Sequence, residues 1–142
     1  MNRELTAKTP EEMFSIGEDI AQGLNGGEVI LLFGGLGAGK TLLTKGIMSG
    51  LDYDIDEVTS PSFTLVNLYE TELFDVYHID LWRLDAAINI AEAVGLNEIL
   101  ENERALTIIE WADRLGDTKL PNTLKVCIDG DGDDPRIVTI RE

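Results

Sequence analysis

The chain has 142 residues, of which 44% are hydrophobic, and this composition indicates a globular domain with enough apolar side chains for a sizeable core. Its 27 acidic side chains outnumber 11 basic ones and give a net charge of −16. This charge argues against autonomous binding to a nucleic-acid backbone and favours a protein partner with a basic face. No apolar run is long enough to span a membrane, the start lacks the apolar core of a signal peptide, and there is one cysteine, so we expect a cytoplasmic protein.

The first predicted helix begins at Pro10. Thr9 is its expected N-cap, and Glu12, three residues later, completes a capping-box pattern. Apolar residues then recur at helical spacing and predict one face packed on a sheet: Met13, Ile16, Ile20 and Leu24. The sequence Asn25-Gly26-Gly27 ends the helix and turns the chain into a strand.

The next segment combines a buried strand with a phosphate-binding loop. Residues 29–33 (V-I-L-L-F) form a continuous apolar run of strand formers, typical of a strand covered on both faces in a parallel sheet. The residues after it fit the Walker A pattern G-x-x-x-x-G-K-[ST], which begins at Gly34 and ends with Gly39-Lys40-Thr41. Strand, loop and helix come in the order that this motif requires, so we predict a nucleotide-binding loop here.

Each residue type in this loop has a chemical role. Its glycines let backbone N–H groups converge on phosphate oxygens, and the helix that follows directs its positive end toward the anion. Lys40 is expected to reach the β- and γ-phosphates, and the hydroxyl of Thr41 to ligate a Mg²⁺ ion between them. The predicted nucleotide-binding residues are therefore Gly35, Leu36, Gly37, Ala38, Gly39, Lys40, Thr41 and Leu42.

An acidic stretch, residues 52–62, follows the helix that starts near Lys40 and ends near Gly50. It closes with Ser60-Pro61-Ser62. A loop at this place can reach the γ-phosphate and the metal, as nucleotide-sensitive switches do. A nucleotide switch and an ordinary acidic surface loop are both open interpretations of this composition.

The rest of the chain predicts further strands and helices. Residues 63–69 and 73–84 are rich in strand formers, and only three residues separate them, so they must form an antiparallel hairpin. Residues 86–102 predict one or two helices interrupted at Gly95, residues 106–110 a buried strand, and residues 123–128 and 136–140 a terminal hairpin. One α/β domain over residues 1–142 accounts for all of these elements: a P-loop NTPase fold whose mixed, mostly parallel sheet is flanked by helices.

Two of the predicted strands end on carboxylates, Asp80 and Glu110. A P-loop enzyme needs a carboxylate on a neighbouring strand to hold Mg²⁺ and a group that orients the attacking water. We expect Glu110 to bind the metal and Asp80 to activate water or support the metal, with these roles open to exchange. The catalytic set is then Lys40, Asp80 and Glu110, whereas His78 is expected to be a hydrogen-bonded core residue.

The sequence favours one nucleotide and leaves three reactions open. The N-K-x-D pattern of GTPases is absent, which favours ATP. An ATP hydrolase that changes the conformation of a partner is the leading interpretation. A small-molecule kinase would share the loop, but such kinases typically close a lid with several arginines over the phosphate, and no arginine cluster appears. A nucleotide-dependent binding module with little hydrolysis is the third interpretation.

Four motifs occur in an order that resembles the TsaE (YjeE) family of small bacterial ATPases. They are G-A-G-K-T at residues 37–41, S-P-S-F-T-L-V at 60–66, H-I-D-L-W-R-L at 78–84 and I-E-W at 109–111. The resemblance implies a role in making threonylcarbamoyladenosine at position 37 of tRNA. It further implies Mg²⁺-dependent ATP hydrolysis that supports turnover of a TsaD–TsaB complex, with tRNA contacted only through that complex.

The resemblance also implies roles for particular residues. Mg²⁺ contacts fall on Thr41 and Glu110, and functional importance falls on Asp80 and Trp111. The switch-like or partner-coupling residues would be Ser60, Pro61, Thr64 and Trp111. The chain departs from the family pattern at Gly35, where the family usually has Asp, and Trp82 stands at the aromatic position of the D-x-Y-R element.

Overall fold

The structure is a computed structural model that describes residues 2–35, 37–61, 65–82, 92, 95–116 and 119–142. Its strands are β1 (Arg3–Ala7), β2 (Val29–Phe33), β3 (Val66–Glu70), β4 (Asp75–Asp80), β5 (Ala105–Glu110), β6 (Thr123–Asp129) and β7 (Arg136–Arg141). Its α-helices are α1 (Pro10–Gln22), α2 (Lys40–Gly50) and α3 (Leu96–Leu100), and short 3₁₀ helices cover Ile55–Glu57 and Ala112–Leu115. Within these residues, no helix has the length and apolar character needed to cross a bilayer.

The described strands form one mixed sheet in the order β1-β7-β6-β2-β5-β4-β3. The four middle strands, β6, β2, β5 and β4, are parallel neighbours, and the outer pairings are antiparallel. Both predicted hairpins, β3–β4 and β6–β7, are confirmed. Strand β4 ends at Asp80, earlier than the strand-forming composition suggested, because the Asp80 carboxylate accepts a hydrogen bond from the Trp82 N–H and closes a turn.

Strand β1 was not predicted from the sequence. It pairs antiparallel with β7, so that Arg3 lies opposite Ile140 and Ala7 opposite Arg136. Only Ala7 is fully buried in this edge strand, so its composition lacks the apolar run that marks β2. Its pairing partner lies at the far end of the chain, where no local pattern can indicate it.

Helix α1 begins as predicted. The Thr9 hydroxyl accepts a hydrogen bond from the Glu12 N–H at 3.1 Å. The Glu12 carboxylate accepts from the Lys8 N–H rather than from the N-cap residue, so the capping box is shifted by one residue. The helix ends at Gln22, which leaves Leu24 outside it.

Helix α1 packs closely on α2 through three glycines. A Cβ atom on Gly17 would lie 2.4 Å from the Leu43 carbonyl oxygen, and one on Gly46 would lie 2.2 Å from the Phe14 carbonyl oxygen. At Gly50 an added Cβ would lie 2.6 Å from the Cβ of Ala21. The backbones of the two helices are therefore in contact. The sequence predicted packing of α1 on the sheet but not this contact with α2.

Strand β2 is buried on both faces, as its apolar run predicts. Ile30 and Leu32 join the core cluster that includes residues of α1 and α2, whereas Val29 and Leu31 join the cluster on the opposite face. Every residue of β5, its parallel neighbour, is buried as well. Helices and loops thus cover both faces of the central strands, and their carboxyl ends meet at one edge.

Part of the predicted helical segment, namely residues 86–91, 93 and 94, lies outside the described residues. The helix that is described there, α3, begins directly after Gly95, which has a left-handed backbone with φ of 67°. A helix thus starts at the predicted break, whereas the helix predicted before Gly95 falls mainly outside the described residues.

Candidate functional site

The carboxyl ends of β2, β5 and β4 bring the predicted site residues together. In the strand register Leu32 lies opposite Glu110, and Glu110 lies opposite Asp80. Next to these ends is a cavity of about 420 Å³. The described residues that line it are Gly35, Gly37, Ala38, Gly39, Lys40, Thr41, Leu42, Ser60, Asp80, Trp82, Glu110 and Trp111. Of the other predicted residues, Pro61 is buried and follows Ser60 in the chain, and Leu36 and Thr64 lie outside the described residues.

The glycine-rich loop ends in a left-handed backbone at the start of α2. Gly37 has φ of 74° and Gly39 has φ of 115°, conformations that favour glycine. Gly39 is the N-cap of α2 and supplies no side-chain hydrogen bond to the first turn. The first amides of the helix therefore lack a side-chain acceptor, and they form the kind of site that binds an anion.

Gly35 has room for a side chain. Apart from its two chain neighbours, no described residue has an atom within 4 Å of the position that a Cβ would take, and Gly35 does not adopt a left-handed backbone. The Asp that the resemblance leads us to expect at this position would meet no described residue other than the chain neighbours of Gly35.

Lys40 folds back onto the loop that precedes it. Its Nζ donates to the carbonyl oxygens of Gly34 at 2.6 Å and Gly35 at 3.0 Å, and it lies 3.9 Å from the ring centroid of Trp111. The side chain is almost fully buried. Burial lowers the pKa of Lys40, and the nearby carboxylates, Glu110 first, act in the opposite direction.

The two strand-end acids are buried, but they have different partners. Asp80 accepts hydrogen bonds from the Trp82 N–H at 2.9 Å and from the Ser60 hydroxyl at 3.4 Å. Glu110 Oε2 lies 2.5 Å from Nε2 of His78, and Oε1 has no hydrogen-bond partner among the described residues. Oε1 of Glu110 is therefore the oxygen best placed to accept a new ligand.

The oxygen donors of the site fit a Mg²⁺ ion that is shared with a phosphate. Thr41 and the two acids line the same cavity. In the described ranges no cluster of three or more His, Cys, Asp or Glu side chains is arranged to enclose a metal. Mg²⁺ commonly binds through one or two protein oxygens together with substrate phosphates, so this donor set matches its usual coordination.

His78 is a hydrogen-bonded core residue, as predicted. Its side chain is fully buried, and its two ring nitrogens contact the Tyr69 hydroxyl and the Glu110 carboxylate. Sequence analysis did not connect it with Glu110. The spacing of His78 and Asp80 on one strand is visible in the sequence, but the contact with Glu110 depends on the register between β4 and β5.

Two tryptophans form one wall of the cavity. Trp111 follows Glu110 directly and has a left-handed backbone with φ of 59°, which turns its ring over Lys40. The ring of Trp82 lies 4.4 Å from that of Trp111, centroid to centroid. Trp82 is 40% exposed, so this wall continues to the surface of the protein.

A second cavity, of about 310 Å³, lies beside the same loop and next to the start of α1. Arg136 forms one side of it, and Pro10 and Met13 contribute apolar surface. The Arg136 guanidinium donates to the carbonyl oxygens of Ala38 and Gly37, both at 3.3 Å. Sequence analysis missed Arg136, because its position at the start of β7 gives no local sign of a contact with the loop.

The chain matches the family model described as "Threonylcarbamoyl adenosine biosynthesis protein TsaE" over residues 7–138. It is 34% identical over 130 residues to the tRNA threonylcarbamoyladenosine biosynthesis protein TsaE of Bacillus subtilis, which covers 92% of this chain and 79% of that protein. The protein of the same name from Aquifex aeolicus is 37% identical over 113 residues, covering 79% of this chain and 78% of that protein. The structure is similar to the crystal structure of Bacillus subtilis YdiB, with a TM-score of 0.76, 31% identity, and coverage of 99% of this chain and 84% of that chain.

Proposed function

The chain belongs to the TsaE family, and from this membership we propose that it serves tRNA threonylcarbamoyladenosine biosynthesis as a Mg²⁺-dependent ATP hydrolase with a P-loop NTPase fold. One observation carries the proposal of hydrolysis. Lys40, Thr41, Asp80 and Glu110 converge on one cavity at the carboxyl ends of parallel strands. This is the place where open α/β sheets bind ligands, and these are the groups that phosphoryl transfer requires.

The loop and α2 would bind the phosphates. The backbone N–H groups of the loop and the uncapped first turn of α2 supply donors, and the helix end adds a favourable field. Lys40 would leave the carbonyl oxygens of Gly34 and Gly35 and donate to the β- and γ-phosphates. The ammonium group then exchanges neutral acceptors for charged ones, which form stronger hydrogen bonds.

The two strand-end acids would have different roles, one in binding Mg²⁺ and the other in orienting water. Thr41 and Glu110 would hold Mg²⁺, with Oε1 of Glu110 as the direct ligand, and the bound ion would neutralise charge on the phosphate oxygens. Asp80, held by Ser60 and by the backbone of Trp82, would orient the attacking water. We assign these roles because Oε1 of Glu110 has no hydrogen-bond partner among the described residues, whereas both oxygens of Asp80 accept hydrogen bonds.

The second cavity would accept the adenine base. It adjoins Gly37, Ala38 and Gly39, so a nucleotide whose phosphates lie on the loop can extend into it. Its apolar surface suits a planar base. Arg136, through its two hydrogen bonds to loop carbonyls, would fix the loop in the shape that binds the phosphates.

Replacing Arg136 by Ala is expected to weaken ATP binding by about tenfold, because charged donors to the loop carbonyls contribute roughly 1.5–3 kcal/mol, part of which shapes the binding site. Isothermal titration calorimetry with ATP measures the change. Arg141→Ala, a change of the same type at an exposed position of the same strand, is the matched control and should leave the affinity within twofold. Equal affinities for both variants would contradict the role of Arg136.

We expect a TsaD–TsaB complex to be the partner, with tRNA contacted through that complex in the cytoplasm. The net charge of −16 supports indirect contact with tRNA. Ser60 and Trp111 line the nucleotide cavity, and the half-exposed Trp82 connects it with the surface. Of the residues predicted to couple the site to a partner (Ser60, Pro61, Thr64 and Trp111), Ser60 and Trp111 would therefore respond to the bound nucleotide.

Phosphate release with and without purified TsaD–TsaB tests this role. Slow hydrolysis by the chain alone, and at least several-fold faster hydrolysis with the complex, is the expected result. An unchanged rate would contradict the coupling. Tight ATP binding without hydrolysis under either condition would instead favour a nucleotide-dependent binding module. A kinase is disfavoured because none of the described residues that line the phosphate cavity is an arginine.

A further inference from the structure

A buried chain of hydrogen bonds connects the loop before Pro61 with Glu110. Tyr69 on β3 contacts the backbone of Thr59: its hydroxyl lies 2.9 Å from the Thr59 carbonyl oxygen and accepts from the Thr59 N–H at 3.2 Å. The same hydroxyl lies 3.2 Å from Nδ1 of His78. His78 then reaches Oε2 of Glu110 through Nε2 at 2.5 Å.

The two side chains in the middle of this hydrogen-bonded series, Tyr69 and His78, are buried in the core. His78 has no exposed surface and Tyr69 is 4% exposed. Buried polar groups lower stability unless they are fully hydrogen-bonded, and apolar side chains of similar size would fill the same space. A role for this polar pair is therefore sought in its contacts with Glu110 at one end and with Thr59 at the other.

The Tyr69 hydroxyl has one proton and two acceptors within reach. When the hydroxyl donates to Nδ1 of His78, the imidazole keeps its own proton on Nε2 and donates it to the Glu110 carboxylate. When the hydroxyl donates to the Thr59 carbonyl oxygen, Nδ1 loses that donor. Movement of Thr59 away from Tyr69 thus favours the arrangement in which His78 holds Glu110.

The short segment Thr59–Ser60 is connected to both strand-end acids. Thr59 reaches Glu110 through Tyr69 and His78, and the Ser60 hydroxyl donates directly to Asp80. Two neighbouring residues of one loop are therefore linked to the two carboxylates of the site. Thr59 is linked to Glu110 indirectly, and Ser60 is bonded to Asp80 directly.

We propose that Tyr69 and His78 are positioning residues, which orient Glu110 for the metal and couple its state to the Thr59–Ser60 segment. The inference rests on the proposed function, because it requires Glu110 to bind Mg²⁺ with a nucleotide. His78 fixes the carboxylate through Oε2 and leaves Oε1 directed to the ligand. Tyr69 transmits the change at Glu110 to the backbone of Thr59.

Two variants at His78 separate positioning from packing. His78→Leu keeps a side chain of similar volume but removes the donor to Glu110. In His78→Gln the side-chain amide nitrogen can still donate, from about the position of Nε2 in the histidine. The measurement is a Mg²⁺ titration with a non-hydrolysable ATP analogue bound. It gives the Mg²⁺ concentration at which the change in tryptophan fluorescence is half of its maximum. We expect a rise of about tenfold or more for His78→Leu and of less than about threefold for His78→Gln. Analogue affinity in EDTA should stay within twofold for both.

Tyr69→Phe tests the connection to the loop and is the milder change if His78→Leu proves unstable in thermal unfolding. Hydrogen–deuterium exchange at the Thr59 amide should change when the magnesium–analogue complex binds to the wild type. In Tyr69→Phe the amide should exchange faster and no longer respond to the complex. Tyr77→Phe, on the neighbouring strand and on the opposite face of the sheet, is the matched control and should behave as the wild type.

The outcomes are distinguishable from one another. Unchanged Mg²⁺ requirements in both His78 variants would overturn the positioning role while the wild-type response to Mg²⁺ upholds the proposed function. A Thr59 amide in Tyr69→Phe that still responds would overturn the coupling. A wild type whose nucleotide binding ignores Mg²⁺ would overturn the proposed function and this inference together.

Discussion

Replacing Lys40 by Met is expected to reduce ATP hydrolysis by about 10²–10³-fold and yet to leave the empty protein at least as stable as the wild type. The loss of activity follows from the role proposed for the ammonium group, since removal of one such charge-stabilising donor costs about that much in other enzymes. Met keeps a stem of similar length, so the variant tests the charge rather than the volume.

The stability part of this prediction follows from the burial of Lys40. Its pKa is lowered from the ordinary value of 10.5 because burial disfavours the charged form. A lysine whose folded pKa is below its unfolded pKa binds fewer protons in the folded state between those two values, so stability rises with pH across that window. The cost of Lys40 is thus fully present below its folded pKa and is relieved as the pH approaches 10.5.

Thermal unfolding of Lys40→Met and the wild type at neutral pH and near pH 10 measures the effect. The melting temperature of the variant should exceed or equal that of the wild type at neutral pH, and the difference should shrink at the higher pH. Lys45→Met, on the same helix but outside the cavity, is the matched control and should retain hydrolysis. A Lys40→Met variant with normal activity would remove the basis of the site assignment.

The second large effect is expected for Glu110→Gln, which should reduce Mg²⁺-dependent hydrolysis by about 10²-fold or more and raise the Mg²⁺ requirement. The amide keeps the volume of the side chain and can still hydrogen-bond to His78, but it lacks the negative charge that a cation needs. Initial rates across a Mg²⁺ titration provide both numbers. Glu103→Gln, an exposed position just before β5, is the matched control and should leave both unchanged.

Asp80→Asn separates the two acids. Both oxygens of Asp80 already accept hydrogen bonds, from Trp82 and Ser60, so we expect a lower turnover number with a nearly unchanged Mg²⁺ requirement. If Asp80→Asn shifts the Mg²⁺ requirement and Glu110→Gln does not, the two roles are exchanged, as the sequence alone leaves open.

Local patterns were sufficient to predict the elements that build the centre of the site. The strand, loop and helix around Lys40 follow from one contiguous motif, and the β3–β4 hairpin follows from the length of its connection. The convergence of Asp80 and Glu110 could be expected because both end parallel strands. In each case the physical cause lies within a few residues of its effect.

The contacts that depend on strand order could not be predicted. Arg136 reaches Gly37 and Ala38 because β6 lies between β2 and β7, an order that no local pattern specifies. The pairing of His78 with Glu110 requires the exact register of β4 on β5. These residues are the supports of the site, and their roles come from tertiary structure alone.

The glycine contacts between α1 and α2 bear on which side of the candidate site can move. At Gly17 and Gly46 the backbones of the two helices lie against each other with no side chain between them, so we expect the two helices to move as one stiff body. The opposite side of the cavity consists of Ser60, Trp82 and Trp111, which belong to loops and turns. We therefore expect the helical side of the site to stay fixed and the side formed by Ser60, Trp82 and Trp111 to move. A partner would detect nucleotide turnover as a displacement of these three residues relative to the helices.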